Sequence, residues 1–295
     1  MPCTATVFPE ASQLMRGDYT DLIISTALRE SMTTIAGAIC TVWETEFDTP
    51  AVYAEHCRVN AADLAHSLMA YLPDGQFVGI GVLCRRGKRG FVLDFGVAPR
   101  FRRQGYGHRL FAALVEQAYL AGLQEVSLLV NVTNEAAMRI YRQAGFQHVR
   151  EVATLRGHVE TGGTDEAQER LGDIEAAVVN WFGGGKSTRP TWERDLPSLL
   201  VMADARAFEN RQGLLLARRS VYFRQTEIVH LGLRPDAEPE DVHALLKAAC
   251  AAFDPHLPLA LLEEPLHSRT YERLSALGFR PVEQAYEMRL DLTNL

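Results

Sequence analysis

The segment from Val97 to Leu110 constrains the fold of this chain more than any other. It reads Val-Ala-Pro-Arg-Phe-Arg-Arg-Gln-Gly-Tyr-Gly-His-Arg-Leu and lies between a strand-like apolar run and apolar residues at helical spacing. In a loop that opens a helix, main-chain N–H groups point to one place, where the helix dipole adds partial positive charge. Gly105 and Gly107 carry no side chains, so a diphosphate can approach the main chain closely. The segment therefore predicts an anion-binding site.

Hairpin-linked strands precede this loop, and alternating strands and helices follow it. Turn residues at 73–76 and a basic loop at 85–90 separate the first strands, which indicates an antiparallel meander. In chain order, the predicted elements are strands at 67–72, 77–84 and 91–97, a helix at 108–121, a strand at 126–130, a helix at 134–144 and a strand at 147–155. The segment 1–60 is predicted to be mainly helical.

The second half of the chain repeats this pattern. The segment 90–99 aligns with 226–235, with a glycine and a proline at the same places, and 141–146 aligns with 274–279. The offset in numbering is 136 between Pro99 and Pro235, and 133 between Gly145 and Gly278. One fold used twice is the interpretation we favour, and the alternative is chance similarity between strand-loop-helix segments.

Glycine-rich segments mark the boundary between the two copies. Residues 161–164 and 183–190 carry helix- and strand-breaking residues around a predicted helix at 165–182. We therefore predict a first domain at 1–157, a linker with a helix at 158–192 and a second domain at 193–295.

In this context the loop resembles the acetyl-coenzyme A (acetyl-CoA) motif of the GNAT superfamily of N-acetyltransferases. That motif is Q/R-x-x-G-x-G/A, and residues 102–107 read Arg-Arg-Gln-Gly-Tyr-Gly. The resemblance covers about residues 65–155 and implies an α/β (α+β) fold of two GNAT-like domains, each a mixed, mostly antiparallel sheet flanked by helices. It also implies acetyl-CoA as co-substrate without a metal, and transfer to a primary amine of a small molecule or peptide by direct attack in a ternary complex.

The resemblance assigns cofactor contacts to individual residues. The main chain of Phe95, Gly96 and Val97 is expected to bond the pantetheine arm, and the alternative is ordinary pairing within the sheet. Asn134 is expected near the same arm, or alternatively only as the N-cap of a helix. The residues expected to hold the diphosphate are Arg102, Arg103, Gln104, Gly105, Tyr106, Gly107 and His108.

Two residues are candidates for proton transfer. The resemblance places Tyr141 beside the thioester sulfur, where its hydroxyl can protonate the departing thiolate, and the alternative is core packing. GNAT enzymes often use a carboxylate on or near the third strand as the base, and Asp94 is the nearest one. The alternative is that Asp94 is solvated or paired with Arg85 or Arg89. Further candidates for the base, without a geometric argument, are Glu44, Glu46 and His66.

The second copy lacks the residues of the anion site. At the offset of 136, Arg102, Gly105 and Gly107 become Glu238, Asp241 and His243, and at 133, Asn134 and Tyr141 become His267 and Leu274. Two carboxylates at this place would repel a diphosphate. We therefore expect a degenerate second domain that does not bind coenzyme A in the usual way and instead covers a sheet edge or shapes the acceptor site. The tandem layout is similar to that of the mycothiol synthases, but these keep their working site in the C-terminal domain, so their substrate is not expected for this chain.

Charge and cysteine content limit the remaining classes of function. A formal net charge of -7 disfavours binding to nucleic acid or an anionic membrane, and no apolar run approaches the length of a membrane span. The five cysteines form no CxxC pair, which argues against a zinc site and favours the cytoplasm, and no signal peptide is recognisable. We expect a monomer or homodimer acting on an amine, whether small amine, aminoglycoside, amino acid or protein N-terminus. The alternative is a non-catalytic acetyl-CoA sensor or interaction module.

Overall fold

The contacts of the chain divide it into two compact units. The computed structural model describes residues 21–45, 49–160, 167–170, 175, 178–179, 181, 190–202, 204–220 and 223–293. Unit 1 comprises Met1–Val149 together with Glu287–Leu295, and unit 2 comprises Arg150–Tyr286. Glu46 and most of the predicted linker at 158–192 lie outside the described residues.

Unit 1 is built on a mixed, mostly antiparallel sheet. Its strands are β1 (Ile23–Thr26), β2 (Leu68–Tyr71), β3 (Phe77–Arg86), β4 (Arg89–Val97) and β5 (Glu125–Asn131), and its helices are α1 (Met32–Trp43), α2 (Pro50–Asn60), α3 (Tyr106–Leu120) and α4 (Glu135–Gln143). The strands are ordered β1-β2-β3-β4-β5. Every pair is antiparallel except β4 and β5, which run parallel.

Helices cover both faces of this sheet. On one face, Ile39 of α1 belongs to the same buried cluster as Ile80 of β3. On the other face, a Cβ atom at Gly81 of β3 would lie 2.9 Å from Leu114 Cδ2 of α3. Because Ile80 and Gly81 are adjacent in β3, they point to opposite faces, and the glycine lets α3 approach the sheet closely.

The elements of unit 2 follow the same order. They are the strands β6 (Gln147–Gly157, in unit 2 from Arg150), β7 (Gln168–Glu169), β8 (Arg206–Glu209), β9 (Gly213–Arg219), β10 (Thr226–Leu233), β11 (Leu259–Pro265) and β12 (Arg280–Asp291, in unit 2 up to Tyr286), and the helices α5 (Leu196–Leu199), α6 (Pro239–Ala252) and α7 (Arg269–Ala276). The sheet order is β6-β11-β10-β9-β8-β7, with β10 and β11 parallel and the other pairs antiparallel. As in unit 1, a three-stranded meander is followed by a helix, a parallel strand and a second helix.

The predicted mixed α/β fold is confirmed, whereas the bounds of the units differ from the predicted contiguous domains. Residues 152–157 of β6 pair with β11 and belong to unit 2. Residues 287–295 belong to unit 1, where Leu292 N donates to the Gln124 carbonyl at 2.8 Å. The reason is strand pairing between segments that are distant in the sequence, which local patterns do not report. The functions assigned to the two domains stay predictions.

Candidate active site

A gap opens between β4 and β5 in the sheet of unit 1. The two strands pair only as far as Val92 and Leu128, although β4 continues to Val97. A bulge at the start of the gap leaves Leu93 without a partner in β3. A strand without a neighbour presents unpaired N–H and C=O groups. Residues 93–97 are partly exposed and form such an edge.

Alternation along β4 decides which main-chain groups face the gap. The carbonyl of Gly96 points toward β3, since a Cβ atom on Gly79 would lie 2.6 Å from its oxygen. Because main-chain groups of successive residues in a strand point to opposite sides, those of Phe95 and Val97 face the gap. The carbonyl of Gly96 is directed into the sheet, so Phe95 and Val97 are better placed than Gly96 for the expected bonds to a cofactor arm.

The loop between β4 and α3 presents a row of unbonded main-chain N–H groups. Arg103 and Gly105 have positive φ angles of 61° and 85°. Alternating right- and left-handed backbone of this kind gathers successive N–H groups into a concavity for anions. None of the N–H groups of residues 103–108 donates a hydrogen bond to another described residue. They lie at the positive end of α3, which is the geometry of an anion-binding site.

The side chain of Arg102 holds this loop in place. Its Nε donates to the Val97 carbonyl at 3.1 Å, and its Nη2 donates to the Val42 carbonyl at 2.7 Å. Nη1 lies 3.2 Å from Glu44 Oε2. Arg102 thus ties the end of β4 to the end of α1. Since each of its three nitrogens already donates to the protein, positioning of the loop fits this side chain better than the expected direct contact with a phosphate.

The remaining loop side chains differ in what they contact. Gln104 Nε2 donates to the Arg100 carbonyl at 2.9 Å and so braces the loop. His108 Nε2 lies 2.5 Å from Gln143 Oε1 of α4. Arg103 is exposed, and its side chain has no hydrogen bond or ion pair to any described residue. Arg103 is therefore the loop cation that is free to meet an anion.

Glycine is required where two helices approach the site. A Cβ atom at Gly96 would lie 2.1 Å from Val42 Cγ1 of α1, and one at Gly107 would lie 3.1 Å from Ile140 Cδ1 of α4. The first distance is far inside van der Waals contact. Gly107 therefore contributes close packing of α4 as well as room for an anion, and Gly96 contributes close packing of α1. Tyr106, the other predicted residue here, packs edge-on against Phe101 at the foot of the loop.

Tyr141 lies in an aromatic cluster beside β4. Its ring centroid is 6.2 Å from that of Phe95, 4.8 Å from that of Phe111 and 6.2 Å from that of Phe146. The residue is 6% exposed, and burial raises the pKa of its hydroxyl above the ordinary value. The hydroxyl makes no hydrogen bond within the described part of the chain. A neutral, unengaged hydroxyl is compatible with the predicted proton donor, and the ring is also part of the core.

Asn134 is the N-cap of α4. Its Oδ1 accepts a hydrogen bond from Ala137 N at 3.1 Å. The capping role is thereby confirmed, while the contact with the cofactor arm stays a prediction. Asn134 is exposed, so its amide Nδ2 remains accessible to a ligand.

Asp94 accepts a hydrogen bond from the Tyr53 hydroxyl at 2.8 Å. Tyr53 is 1% exposed, and its burial, followed by the charge of Asp94, raises its pKa well above the ordinary value. Burial, again followed by the charge of Asp94, raises the pKa of the Cys57 thiol to about 12. Both neighbours on α2 therefore remain protonated near neutral pH. The sequence offered no signal for Tyr53, because its contact is non-local.

Arg85 and Arg89, the alternative partners considered for Asp94, lie beside other carboxylates. Arg89 Nε instead lies 3.2 Å from Glu125 Oε1, and Arg85 Nη1 lies 4.0 Å from Asp63 Oδ2. Two of the other candidate bases, Glu44 and His66, are engaged by neighbouring side chains. Glu44 pairs with Arg102, and His66 Nδ1 lies 2.9 Å from Asp63 Oδ2. In the described residues, no group of three His, Cys, Asp or Glu side chains is arranged to hold a metal ion.

Unit 2 has the same gap at the equivalent place. β10 and β11 pair only as far as Ile228 and Leu261, and a bulge leaves Val229 without a partner in β9. Ile228 corresponds to Val92 at the offset of 136, and Leu261 corresponds to Leu128 at the offset of 133. The predicted offsets therefore hold at the point where each sheet opens.

The loop before α6 differs from the loop before α3. It is shorter, and Glu238 is the N-cap of α6. The Glu238 side chain accepts from Asp241 N, and Asp241 Oδ2 accepts from Glu238 N at 2.8 Å. This capping box satisfies helix N–H groups with carboxylates. Gly105 thus corresponds to Glu238 rather than to Asp241, because the change in offset from 136 to 133 falls in this loop.

Comparison with known proteins agrees with this geometry. The model of the "Acetyltransferase (GNAT) family" matches residues 29–146. Aminoglycoside N(6')-acetyltransferase type 1 of Klebsiella aerogenes is 32% identical over 111 residues, which is 35% of this chain and 73% of that protein. The chain belongs to the GNAT family. Its fold is similar to that of a solved tandem GNAT protein from the clavulanic acid biosynthesis pathway, with a TM-score of 0.64 and 14% identity, covering 92% of this chain and 98% of the other.

Other members of this family match over shorter segments. The uncharacterized N-acetyltransferase YycN of Bacillus subtilis is 39% identical over 57 residues, which is 19% of this chain and 36% of that protein. The chain therefore spans about a third of the length of this curated relative. Within the described residues, no helix is long and apolar enough to cross a membrane.

Proposed function

We propose that unit 1 transfers an acetyl group from acetyl-CoA to a primary amine by direct attack in a ternary complex. The observation that carries the proposal is the row of free N–H groups at 103–108, which follows a strand whose edge is open at 93–97. A ligand with a diphosphate and an extended, amide-bearing arm satisfies both features. Coenzyme A is such a ligand, and membership of the GNAT family supports it.

Binding of acetyl-CoA follows from the groups that are left without partners. The N–H groups of residues 103–108 bind the diphosphate, and the free guanidinium of Arg103 adds charge. The main chain of Phe95 and the N–H of Val97 bond the pantetheine amides as a neighbouring strand would. Asn134 donates from its free amide to the same arm. Arg102 and Gly107 keep the loop and α4 in position.

Tyr141 is proposed as the general acid and Asp94 as the general base. The amine nitrogen attacks the thioester carbonyl carbon, a C–N bond forms, and the C–S bond breaks. The leaving thiolate takes the proton of Tyr141, which solvent restores, and Asp94 takes the proton lost by the amine. A main-chain N–H of β4 that faces the gap stabilises the carbonyl oxygen as negative charge develops there. The Tyr53 hydroxyl orients one oxygen of Asp94 and leaves the other for the amine.

The acceptor is proposed to be an amine of a small molecule or peptide. A relative whose name specifies aminoglycosides is matched over most of its length, so aminoglycosides are the first acceptors to test. Amino acids and peptides with free N-termini complete the panel. Release of free thiol on addition of one class identifies the substrate class.

Calorimetry with the full chain tests the anion site directly. Acetyl-CoA should bind the wild type, and Gly107→Asp should lose binding because a carboxylate enters the N–H row and its Cβ meets Ile140. Gly37→Asp is the matched control, since nothing lies within 4 Å of a Cβ at Gly37. Equal affinity of Gly107→Asp and wild type would contradict the site. Binding without thiol release across the whole panel would instead favour a sensor.

A further inference from the structure

The gap of unit 2 holds a side chain of the same unit. Beyond Ile228 and Leu261 the strands β10 and β11 no longer pair, which leaves main-chain groups of both strands to be satisfied. Arg194, at the end of the 3-10 turn Trp192–Arg194, reaches them. Its Nε donates to the carbonyl of Val229 at 3.4 Å, and its Nη1 donates to the carbonyl of Leu262 at 3.0 Å. One guanidinium thus bridges the two separated strands immediately after their last pair.

Carboxylates complete the surroundings of this guanidinium. Arg194 Nη1 lies 2.5 Å from Glu264 Oε2, and the two side chains are buried, with exposed fractions of 9% and 8%. The other oxygen of Glu264 accepts from Ser268 Oγ at 2.5 Å. Ser268 is the N-cap of α7 and accepts from Tyr271 N at 2.9 Å. A continuous set of hydrogen bonds therefore runs from the turn through both strands to the next helix.

We propose that the gap of unit 2 is a guanidinium-binding site whose ligand is the chain's own Arg194. The planar guanidinium carries donors in a fixed fork, so it can meet two carbonyls and a carboxylate together, whereas an ammonium group is a single point. In unit 1 the equivalent edge of β4 is open. Arg194 therefore occupies in unit 2 the place where unit 1 leaves room for an extended ligand, and the capping box of Glu238 and Asp241 closes the neighbouring helix end.

Two consequences follow from this assignment. The chain binds one acetyl-CoA, because in unit 2 both the strand edge and the helix N-terminus are satisfied internally. Arg194 also supports the fold of unit 2 independently of the activity proposed for unit 1, since its removal leaves Glu264 buried without its cation.

Chemical rescue of the full chain tests the site. Arg194→Ala should lower the Tm on the order of 10 °C. Millimolar methylguanidinium should then raise the Tm of Arg194→Ala, while urea should not, and neither should stabilise the wild type. Arg194→Lys should stay below the wild type because it cannot bridge both strands. Arg218→Ala is the matched control, since Arg218 also pairs with a buried carboxylate, Glu227, but lies where β9 and β10 are paired.

Four results would overturn the proposal. One is a Tm of Arg194→Ala equal to that of the wild type. Another is rescue by methylguanidinium that is no larger for Arg194→Ala than for Arg218→Ala. If Arg194→Ala does not fold, the proposal is tested by the number of acetyl-CoA molecules that bind the wild type and by the Tm of Arg194→Lys. Two acetyl-CoA molecules bound per wild-type chain, or a Tm of Arg194→Lys equal to that of the wild type, would contradict the assignment.

Discussion

Replacing Gly96 by alanine tests whether close packing of α1 on β4 supports the anion-binding loop. The added Cβ would lie 2.1 Å from Val42 Cγ1. Carbon atoms in contact are normally about 3.5–4.0 Å apart, so either helix α1 or the side chain of Val42 must move by about 1.5 Å. Val42 is buried, and its carbonyl accepts from Arg102 Nη2 at 2.7 Å, so the displacement reaches the loop.

The expected effect can be estimated from this overlap. Overpacking of a core costs about 1–3 kcal/mol. In a folding unit of roughly 150–250 residues, 1 kcal/mol corresponds to about 2–4 °C, so the Tm should fall by roughly 2–12 °C. The affinity for acetyl-CoA should fall as well, because Arg102 is fixed by Val42 and Val97 and immediately precedes the row of free N–H groups.

A double-mutant cycle followed by thermal unfolding and calorimetry isolates this contact. Val42→Ala removes the methyl group that the new Cβ meets. The double variant should therefore lose about 0.5–3 kcal/mol less free energy of unfolding than the sum of the losses in the two single variants. Gly37→Ala on the same helix is the control, since a Cβ there meets nothing within 4 Å. Additive effects of the two substitutions, with unchanged affinity for acetyl-CoA, would refute the reasoning.

Three further substitutions have defined outcomes. Tyr141→Phe keeps the aromatic packing, so binding of acetyl-CoA by calorimetry should persist while turnover, measured as thiol release, falls by about 10²-fold or more; unchanged turnover removes Tyr141 from the mechanism. Tyr53→Phe removes the hydroxyl that donates to Asp94 and should lower the free energy of unfolding, measured with urea, by about 1.5–3 kcal/mol. An unchanged free energy of unfolding would mean that solvent replaces this bond. Burial, followed by the charge of Glu193, raises the pKa of Glu263 well above its ordinary 4.5. Its contribution to stability is therefore complete below that ordinary value and is lost as the pH rises through the raised pKa. In urea unfolding at several pH values, Glu263→Gln should weaken the decline of the free energy of unfolding with rising pH. An unchanged decline would assign it to other groups.

Patterns of adjacent residues predict the strand and the helices around the candidate site. Periodicity placed the strand before the loop and the helix after it to within about two residues, because turn residues and apolar spacing are properties of adjacent positions. Asn134 was also recognisable, since an N-cap leaves a local signature. The repeat predicted the same order of strands and helices in the two halves, although the change in offset from 136 to 133 was placed too late.

Contacts between distant residues could not be read from the same patterns. The gap after Val92 depends on the register of three strands, and no single segment encodes it. Arg102 was predicted to face a phosphate because it is a cation in the loop, yet its partners belong to α1 and β4. Arg194 and Tyr53 gave no signal either, because their partners lie far along the chain.

The assignment of residues 287–295 to unit 1 has a consequence for biosynthesis. Within unit 1, Leu292 N donates to the carbonyl of Gln124, which directly precedes β5, so during translation this end of β5 lacks its partner until the ribosome has added the intervening segment. A bare strand edge is a template for pairing with other chains. A gene fragment that stops at residue 149 would therefore make a protein prone to aggregate, and adding a peptide of residues 287–295 in trans should improve its solubility.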